Sequence, residues 1–175
     1  MTQSKHTFTV KNIKTFTGRE GYGYSCNLYL NNKKVAVVTD NADGGPLDIF
    51  WNGPKIFDVT TRSLDFEISQ EYLTHKGTEA ESILEKMIME LPMISIQGSQ
   101  PFYSNSEIFI DDLVNDTLLQ QKISRILKKE IFILENKQIF SYKIKPTQDS
   151  VKINNYIAKN KPTAIIINEK PIEEV

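Results

Sequence analysis

Two glycine-rich stretches hold the residues best suited to binding chemistry. The first runs from Gly18 to Gly23 and the second from Asp40 to Gly45. Successive backbone N–H groups in such loops can form a concave nest that holds a phosphate or carboxylate. The other interpretation is structural, because glycine adopts the positive φ angles that tight loops need. The residue pattern leaves both interpretations open.

Charged and aromatic residues near the two stretches complete a predicted ligand-binding set. Arginine and lysine supply positive charge, and tyrosine and tryptophan supply ring faces on which a base can stack. The single tryptophan, Trp51, could equally be a core aromatic. The predicted ligand-binding residues are Gly18, Arg19, Gly21, Tyr22, Gly23, Tyr24, Lys33, Lys34, Asp43, Gly44, Gly45 and Trp51.

The sequence contains no residue set for metal, nucleotide-loop or nucleophile chemistry. A calcium loop starting at Asp40 would need oxygen ligands where Ala42 and Gly44 stand, and a glutamate where Trp51 stands. Two histidines and one cysteine do not make a zinc site. The glycines do not follow the G-x-G-x-x-G or G-x-S-x-G patterns. We therefore expect no catalytic residues, no metal and no cofactor.

Composition indicates a globular protein inside the cell. The 175 residues are 39% hydrophobic and 25% charged, and no apolar run approaches the ~20 residues that span a bilayer. The first residues lack the apolar segment of a signal peptide, so we expect a cytoplasmic protein without a membrane partner. Cys26 is expected to be a small buried residue.

Charge is distributed in blocks although the net charge is only −1. Residues 1–39 carry six basic groups and one acidic group, whereas residues 40–116 carry four basic and fifteen acidic groups. Such blocks can steer charged ligands or can simply be solvated faces. The basic stretch 122–145 includes aromatics, but these fall on a hairpin expected to be buried. Since the pI is also about 6.2, nucleic acid is not an expected partner.

Periodicity predicts an α+β fold. Alternating residues predict strands at 7–16, with a bulge at Asn12, and at 24–30 and 33–39, joined by an Asn31-Asn32 turn. Further strands are predicted at 47–51 and 56–68. A capping box at Thr78 begins a helix that Pro92 ends. The remaining predicted elements are a long loop, a helix at 110–129, a hairpin at 131–134 and 138–144, a helix at 149–160 and a strand at 164–167.

The fold class is thus an N-terminal antiparallel hairpin or small sheet followed by helix, long loop, helix, hairpin, helix and strand. We expect one domain over residues 1–175. The alternative is a β-rich part at 1–91 and an α/β part at 107–175, with 92–106 as the connecting loop.

Several short motifs together resemble a family of small proteins of unassigned function carried by bacteriophages, prophages and plasmids. These motifs are the glycines at 18, 21 and 23 with Glu20, Leu28-Tyr29, Lys33-Lys34-Val35-Ala36, Asp40, Gly44-Gly45, Trp51, Asp111-Asp112-Leu113-Val114 and Ile167-Asn168-Glu169. The resemblance implies a mobile-element product that acts inside a bacterial host, and it implies no catalytic residue.

These observations favour a non-enzymatic binding protein. The first hypothesis is a counter-defence protein that sequesters a nucleotide-type immune signal between the two glycine stretches. The alternative is a protein–protein inhibitor of a host enzyme, whose acidic region 40–116 would imitate nucleic acid. A nucleotide-processing enzyme is the weaker alternative, and a homo-oligomer is left open.

Overall fold

The architecture is α+β, as predicted. The structure, a computed structural model, describes residues 6–62, 72–95, 101–135, 138–143, 150–161, 165–166 and 168, with only the backbone for 150–154. In chain order its elements are β1 (Phe8–Thr17), β2 (Tyr22–Leu30), β3 (Lys33–Asp40), β4 (Asp48–Trp51), β5 (Phe57–Arg62), β6 (Tyr72–Gly77), α1 (Glu79–Met89), α2 (Ser106–Leu127), β7 (Ile131–Glu135), β8 (Gln138–Tyr142), α3 (Ser150–Asn160) and β9 (Ile165–Ile166).

The chain divides into two compact units, Met1–Asp116 and Thr117–Val175. The boundary falls inside α2, whereas the sequence suggests a connecting loop at 92–106. The sequence-based subdivision stays a prediction.

A four-stranded antiparallel sheet in the order β1-β2-β3-β4 forms the first part of the N-terminal unit. The predicted bulge in β1 is confirmed: its register shifts between Lys11 and Lys14, and Asn12 has φ 57°. The predicted turn between β2 and β3 is also confirmed, because Asn31 and Asn32 have φ angles of 48° and 67°. Two positive angles in succession are the geometry that suits the twist of a hairpin.

One face of this sheet, hereafter the inner face, forms the core. Its fully buried residues lie opposite one another on neighbouring strands: Leu28 pairs with Ala36, and Cys26 with Val38. The first half of α2 contacts the same face, since the rings of Phe8 and Phe109 meet edge to face at 6.4 Å. Burial of such apolar side chains is the main stabilising term of the fold.

A two-stranded sheet, β5–β6, packs against α1 in the same unit. The predicted capping box is present at Thr78, whose side chain accepts the Glu81 N–H while the Glu81 carboxylate accepts the Thr78 N–H. The sequence did not predict β6, and the predicted continuation of β5 to residue 68 lies outside the described residues.

α2 begins earlier than the sequence predicts. It starts at Ser106, and the Asn105 Oδ1 accepts the Ile108 N–H at 2.8 Å, which is the geometry of an N-cap. The prediction that the helix starts near Ile110 was wrong because this cap was not recognised. Asp111 and Asp112 therefore lie in the second turn, beyond the strongest part of the helix dipole.

In the C-terminal unit, a small antiparallel sheet in the order β8-β7-β9 accompanies α3. Its core consists of Ile131, Ile133 and Ile157, with Tyr142 and Ile166 packed against them. The predicted hairpin of 131–134 with 138–144 is confirmed by the register of β7 with β8, although β8 ends at Tyr142.

Candidate functional site

The two glycine loops of the N-terminal unit lie against each other. The first covers residues 18–21 and the second 41–45. The Gly18 N–H donates to the Gly21 carbonyl at 2.8 Å, and the Glu20 N–H donates to the Ala42 carbonyl at 2.7 Å. These donors are already paired and are not free for an anion.

Carboxylates of the second loop satisfy two more of its amides. The Asp40 Oδ1 accepts the Ala42 N–H at 2.8 Å, and the Asp43 Oδ1 accepts the Gly45 N–H at 3.1 Å. A phosphate approaching these amides would have to displace a negatively charged oxygen of the protein. The geometry therefore favours the structural interpretation of the loops over the nest.

Two positions, Gly18 and Gly23, require glycine because neighbouring atoms leave no space for a Cβ. A Cβ at Gly18 would lie 2.6 Å from the Ala42 Cβ, and a Cβ at Gly23 would overlap the Asp40 carbonyl and lie 2.8 Å from the Phe16 ring. Real Cβ contacts are longer than this, so only glycine allows the loops and strands to meet here.

The structure gathers only part of the predicted ligand-binding set. At the glycine-loop end of the sheet it brings together Gly18, Arg19, Gly21, Tyr22, Gly23, Asp43, Gly44 and Gly45. Lys33 and Lys34 follow the turn at the opposite end of β2, which spans nine residues and is roughly 27 Å long. Trp51 pairs with Ala36, also away from the glycine loops, and is half-buried on the inner-face side.

Tyr24 also points away from the predicted pocket. It is 8% exposed on the inner face, and its hydroxyl donates to the Asp111 carboxylate at 2.5 Å. Burial, followed by this hydrogen bond, raises the pKa of Tyr24 above its ordinary range. The residue anchors α2 to the sheet, and no sequence signal links positions that lie 87 residues apart.

Burial acts on the neighbouring acids as well. It raises the pKa of Asp111, and it raises the pKa of the Cys26 thiol to about 11. The prediction that Cys26 is a small buried residue is confirmed. Asp111 is half-buried and bonded to Tyr24, whereas Asp112 and Asp116 are exposed. An inhibitor surface made of the acidic region would therefore have the last two, but not Asp111, available for a partner.

We expect the replacement Asp111→Asn to change how stability depends on pH. The raised pKa in the folded state means that the contribution of Asp111 to the free energy of unfolding is fully present below its unfolded-state pKa of about 3.8. That contribution is lost as the pH rises through the folded-state pKa. The free energy of unfolding of the parent protein, relative to the variant, should therefore fall as the pH rises above the unfolded-state pKa.

Urea titrations monitored through the fluorescence of Trp51, the only tryptophan, measure this difference. The exposed neighbour, in the replacement Asp112→Asn, controls for the loss of one charge from α2. A difference between the Asp111→Asn variant and the parent that stays constant as the pH rises above the unfolded-state pKa of Asp111 would contradict the expectation.

The second face of the four-stranded sheet, hereafter the outer face, carries an array that the sequence analysis missed. Cross-strand partners share a face, and three rows of them follow from the register. The rows are Thr9, Tyr29 and Lys34; Lys11, Asn27, Val37 and Phe50; and Lys14, Ser25, Thr39 and Asp48. Phe16 lies opposite Gly23 beyond the third row.

The three lysines of the outer face and two of its three aromatic rings are exposed, whereas Tyr29 is half-buried. Phe50 is 65% exposed and Phe16 is 40% exposed. The Lys11 Nζ lies 4.7 Å from the centre of the Tyr29 ring, which confirms that these two side chains share the face. Lys14 and Lys34 are exposed and make no ion pair with any described residue. The sequence signal for this face is the alternation of residues along β1 to β4.

The described residues contain no group of three or more His, Cys, Asp or Glu side chains that could hold a metal ion. Among the described helices, none has the length and apolar character to cross a bilayer.

Comparison of the chain with protein-family models, with curated proteins and with solved structures gives no match.

Proposed function

We propose that this protein binds a nucleotide-type ligand without turnover, and that the outer face of the four-stranded sheet is its contact surface. The observation that carries the proposal is the combination, on one solvent-exposed face, of three aromatic residues and three lysines: Phe16, Tyr29, Phe50, Lys11, Lys14 and Lys34. A nucleotide has a flat base that stacks on such rings and a phosphate that pairs with such cations.

The outer face replaces the space between the glycine loops as the proposed site. The amides of Gly18, Glu20, Ala42 and Gly45 donate to protein oxygens. The Lys14 and Lys34 ammonium groups, in contrast, have no described anionic partner. An unpaired lysine on a surface keeps its full capacity to bind phosphate. The glycine loops then shape the end of the sheet and do not contact the ligand.

The cellular role that we propose is counter-defence in a bacterial host. The resemblance to proteins of phages, prophages and plasmids supports an action inside an infected or plasmid-bearing cell. A protein that binds a nucleotide-type immune signal and has no catalytic residue set would act by sequestration. Its effect would then depend on its own concentration relative to that of the signal.

Thermal unfolding of the purified protein with a panel of mononucleotides, cyclic nucleotides and short oligonucleotides tests the proposal. At 100 times its Kd, a ligand should stabilise the protein by about 2.7 kcal/mol. For a unit of this size we expect a rise in Tm of about 10 °C. The rise should disappear in the double variant Lys14→Ala/Phe50→Ala. Absence of a shift with every member of the panel would refute nucleotide-type binding.

A further inference from the structure

The outer face extends further than a single nucleotide. Tyr29 and Gly23 are six residues apart on β2, so the rows that they mark lie roughly 20 Å from each other. Phe16 lies opposite Gly23, so Phe16 and Tyr29 are near opposite ends of the face along the strand direction. Phe50 lies on the edge strand β4. One base cannot stack on rings that are this far apart.

Charge on the outer face is asymmetric. Lys11 and Lys14 lie on β1, at one edge of the sheet, and Lys34 lies at the start of β3, opposite Tyr29. The acidic residue in the three rows is Asp48, on the opposite edge strand, where its carboxylate accepts a hydrogen bond from the Asn41 side chain at 2.7 Å. This pattern favours an extended polyanion whose phosphates follow β1.

The centre of the face suits bases. Asn27, Ser25 and Thr39 lie between the lysines of β1 and the ring of Phe50. They carry hydrogen-bond donors and acceptors on short side chains, and the rings of Phe16 and Phe50 on the same face are exposed. Bases that are already paired in a duplex present only their edges, whereas unpaired bases present the ring faces that aromatic side chains bind.

We infer that the ligand of the outer face is a single-stranded nucleic acid, with at least three consecutive nucleotides in contact with the sheet. This inference rests on the proposed function and narrows its ligand class. Bases stack on Phe50 and Phe16, and on Tyr29 once the Lys11 ammonium, which lies 4.7 Å from the centre of that ring, moves to a phosphate. Lys14 and Lys34 pair with further phosphates. The pI of about 6.2 describes the whole chain, whereas within residues 1–39, which include β1 and β2, basic groups outnumber acidic groups by six to one.

Fluorescence anisotropy with labelled oligothymidylates tests the inference. The probes are thymidine monophosphate, as an unlabelled competitor, and strands of three, six and ten nucleotides, with a ten-base-pair duplex for comparison. We expect the ten-nucleotide strand to bind at least about 100-fold more tightly than the mononucleotide and at least about 10-fold more tightly than the duplex. Three phosphate contacts predict a slope of log K against log salt of about −2.

Two pairs of variants localise the binding surface. Phe50→Ala should weaken binding at least about 10-fold, and Lys14→Ala should reduce the salt slope by about 0.7. Their matched controls are Tyr72→Ala on β6 and Lys86→Ala on α1, which remove an exposed ring and an exposed cation elsewhere in the same unit. The controls should leave the binding affinity and the salt slope unchanged. Circular dichroism checks that each variant is folded.

The outcomes separate the inference from the proposed function. Equal affinity for mononucleotide and ten-nucleotide strand would overturn the single-strand inference while keeping nucleotide binding. Equal affinity for duplex and single strand, with no effect of Phe50→Ala, would overturn it in favour of phosphate contacts alone. Loss of binding in the control variants would remove the outer face as the site. No binding by any probe, mononucleotides included, would refute both proposals.

Discussion

Replacement of Gly23 by alanine should lower the free energy of unfolding of the N-terminal unit by about 3 kcal/mol. The added Cβ would overlap the Asp40 carbonyl on β3 and meet the Phe16 ring on β1 at 2.8 Å. Gly23 lies on β2 between these two strands, so relief of one contact presses the new methyl group into the other. Strand pairing at this end of the sheet must then shift.

Urea unfolding followed by Trp51 fluorescence measures the loss, because the tryptophan lies on β4 of the same sheet. Gly45→Ala is the matched control. Its Cβ would meet only the Asp43 carboxylate, at 3.1 Å, and this exposed side chain can shift by the few tenths of an ångström that are needed while keeping its bond to the Gly45 N–H. We expect the control to change stability by less than about 1 kcal/mol. Equal losses in the two variants would show that close packing is not the reason for Gly23.

Replacement of Asn168 by alanine should destabilise the C-terminal unit by about 3 kcal/mol. The Asn168 Oδ1 accepts the Phe132 N–H at 2.7 Å, and its Nδ2 donates to the Leu127 and Glu130 carbonyls at 2.8 and 2.7 Å. One side chain thus joins the end of α2, the following turn and the start of β7. Alanine would leave three partly buried backbone groups without these bonds.

Amide hydrogen exchange of β7 measures this effect. The Phe132 amide should exchange about 100-fold faster in the variant, since each 1.4 kcal/mol corresponds to a factor of ten. Asn168→Asp keeps the acceptor but brings a negative charge toward two carbonyl oxygens, so it should not restore protection. Asn160→Ala, which removes one exposed bond to the Tyr156 carbonyl, serves as the control. Unchanged exchange at Phe132 in the Asn168→Ala variant would contradict the assigned role.

The hydrogen bonds of the Asn168 side chain give a structural reason for an asparagine at this position of the sequence. Asn168 belongs to the Ile167-Asn168-Glu169 motif on which the resemblance to mobile-element proteins partly depends. The bonds of its side chain account for an asparagine at this position by structure alone. The asparagine of this motif therefore needs no ligand to account for it.

Local sequence patterns determined the elements whose signals are short-range. The bulge at Asn12, the Asn31-Asn32 turn and the capping box at Thr78 were all predicted and are all present. Each depends on a few neighbouring residues: asparagine tolerates positive φ, and a threonine with a glutamate three residues later satisfies free amides at a helix start. Such preferences act before the chain has a tertiary structure.

Tertiary structure decided which residues meet. Alternation shows that Phe16, Tyr29 and Phe50 can share a face of the sheet, but both faces carry apolar residues. Only the contacts of α2 identify the covered face, through Phe8 with Phe109 and Tyr24 with Asp111. These pairs are separated by far more residues than any periodic pattern covers.

The glycine loops illustrate the same division. Their sequence specifies backbone freedom, and that freedom is compatible with a phosphate nest or with close packing. The amide hydrogens of Gly18 and Glu20 are paired within the protein, so packing is the outcome in this fold. The loops are near Lys33, Lys34 and Trp51 in sequence but not in space. Each residue lengthens an extended strand by roughly 3.3 Å, so these three residues lie at the far end of the strands. Composition and local pattern thus define the strands, while the antiparallel register decides which charges and rings form one surface.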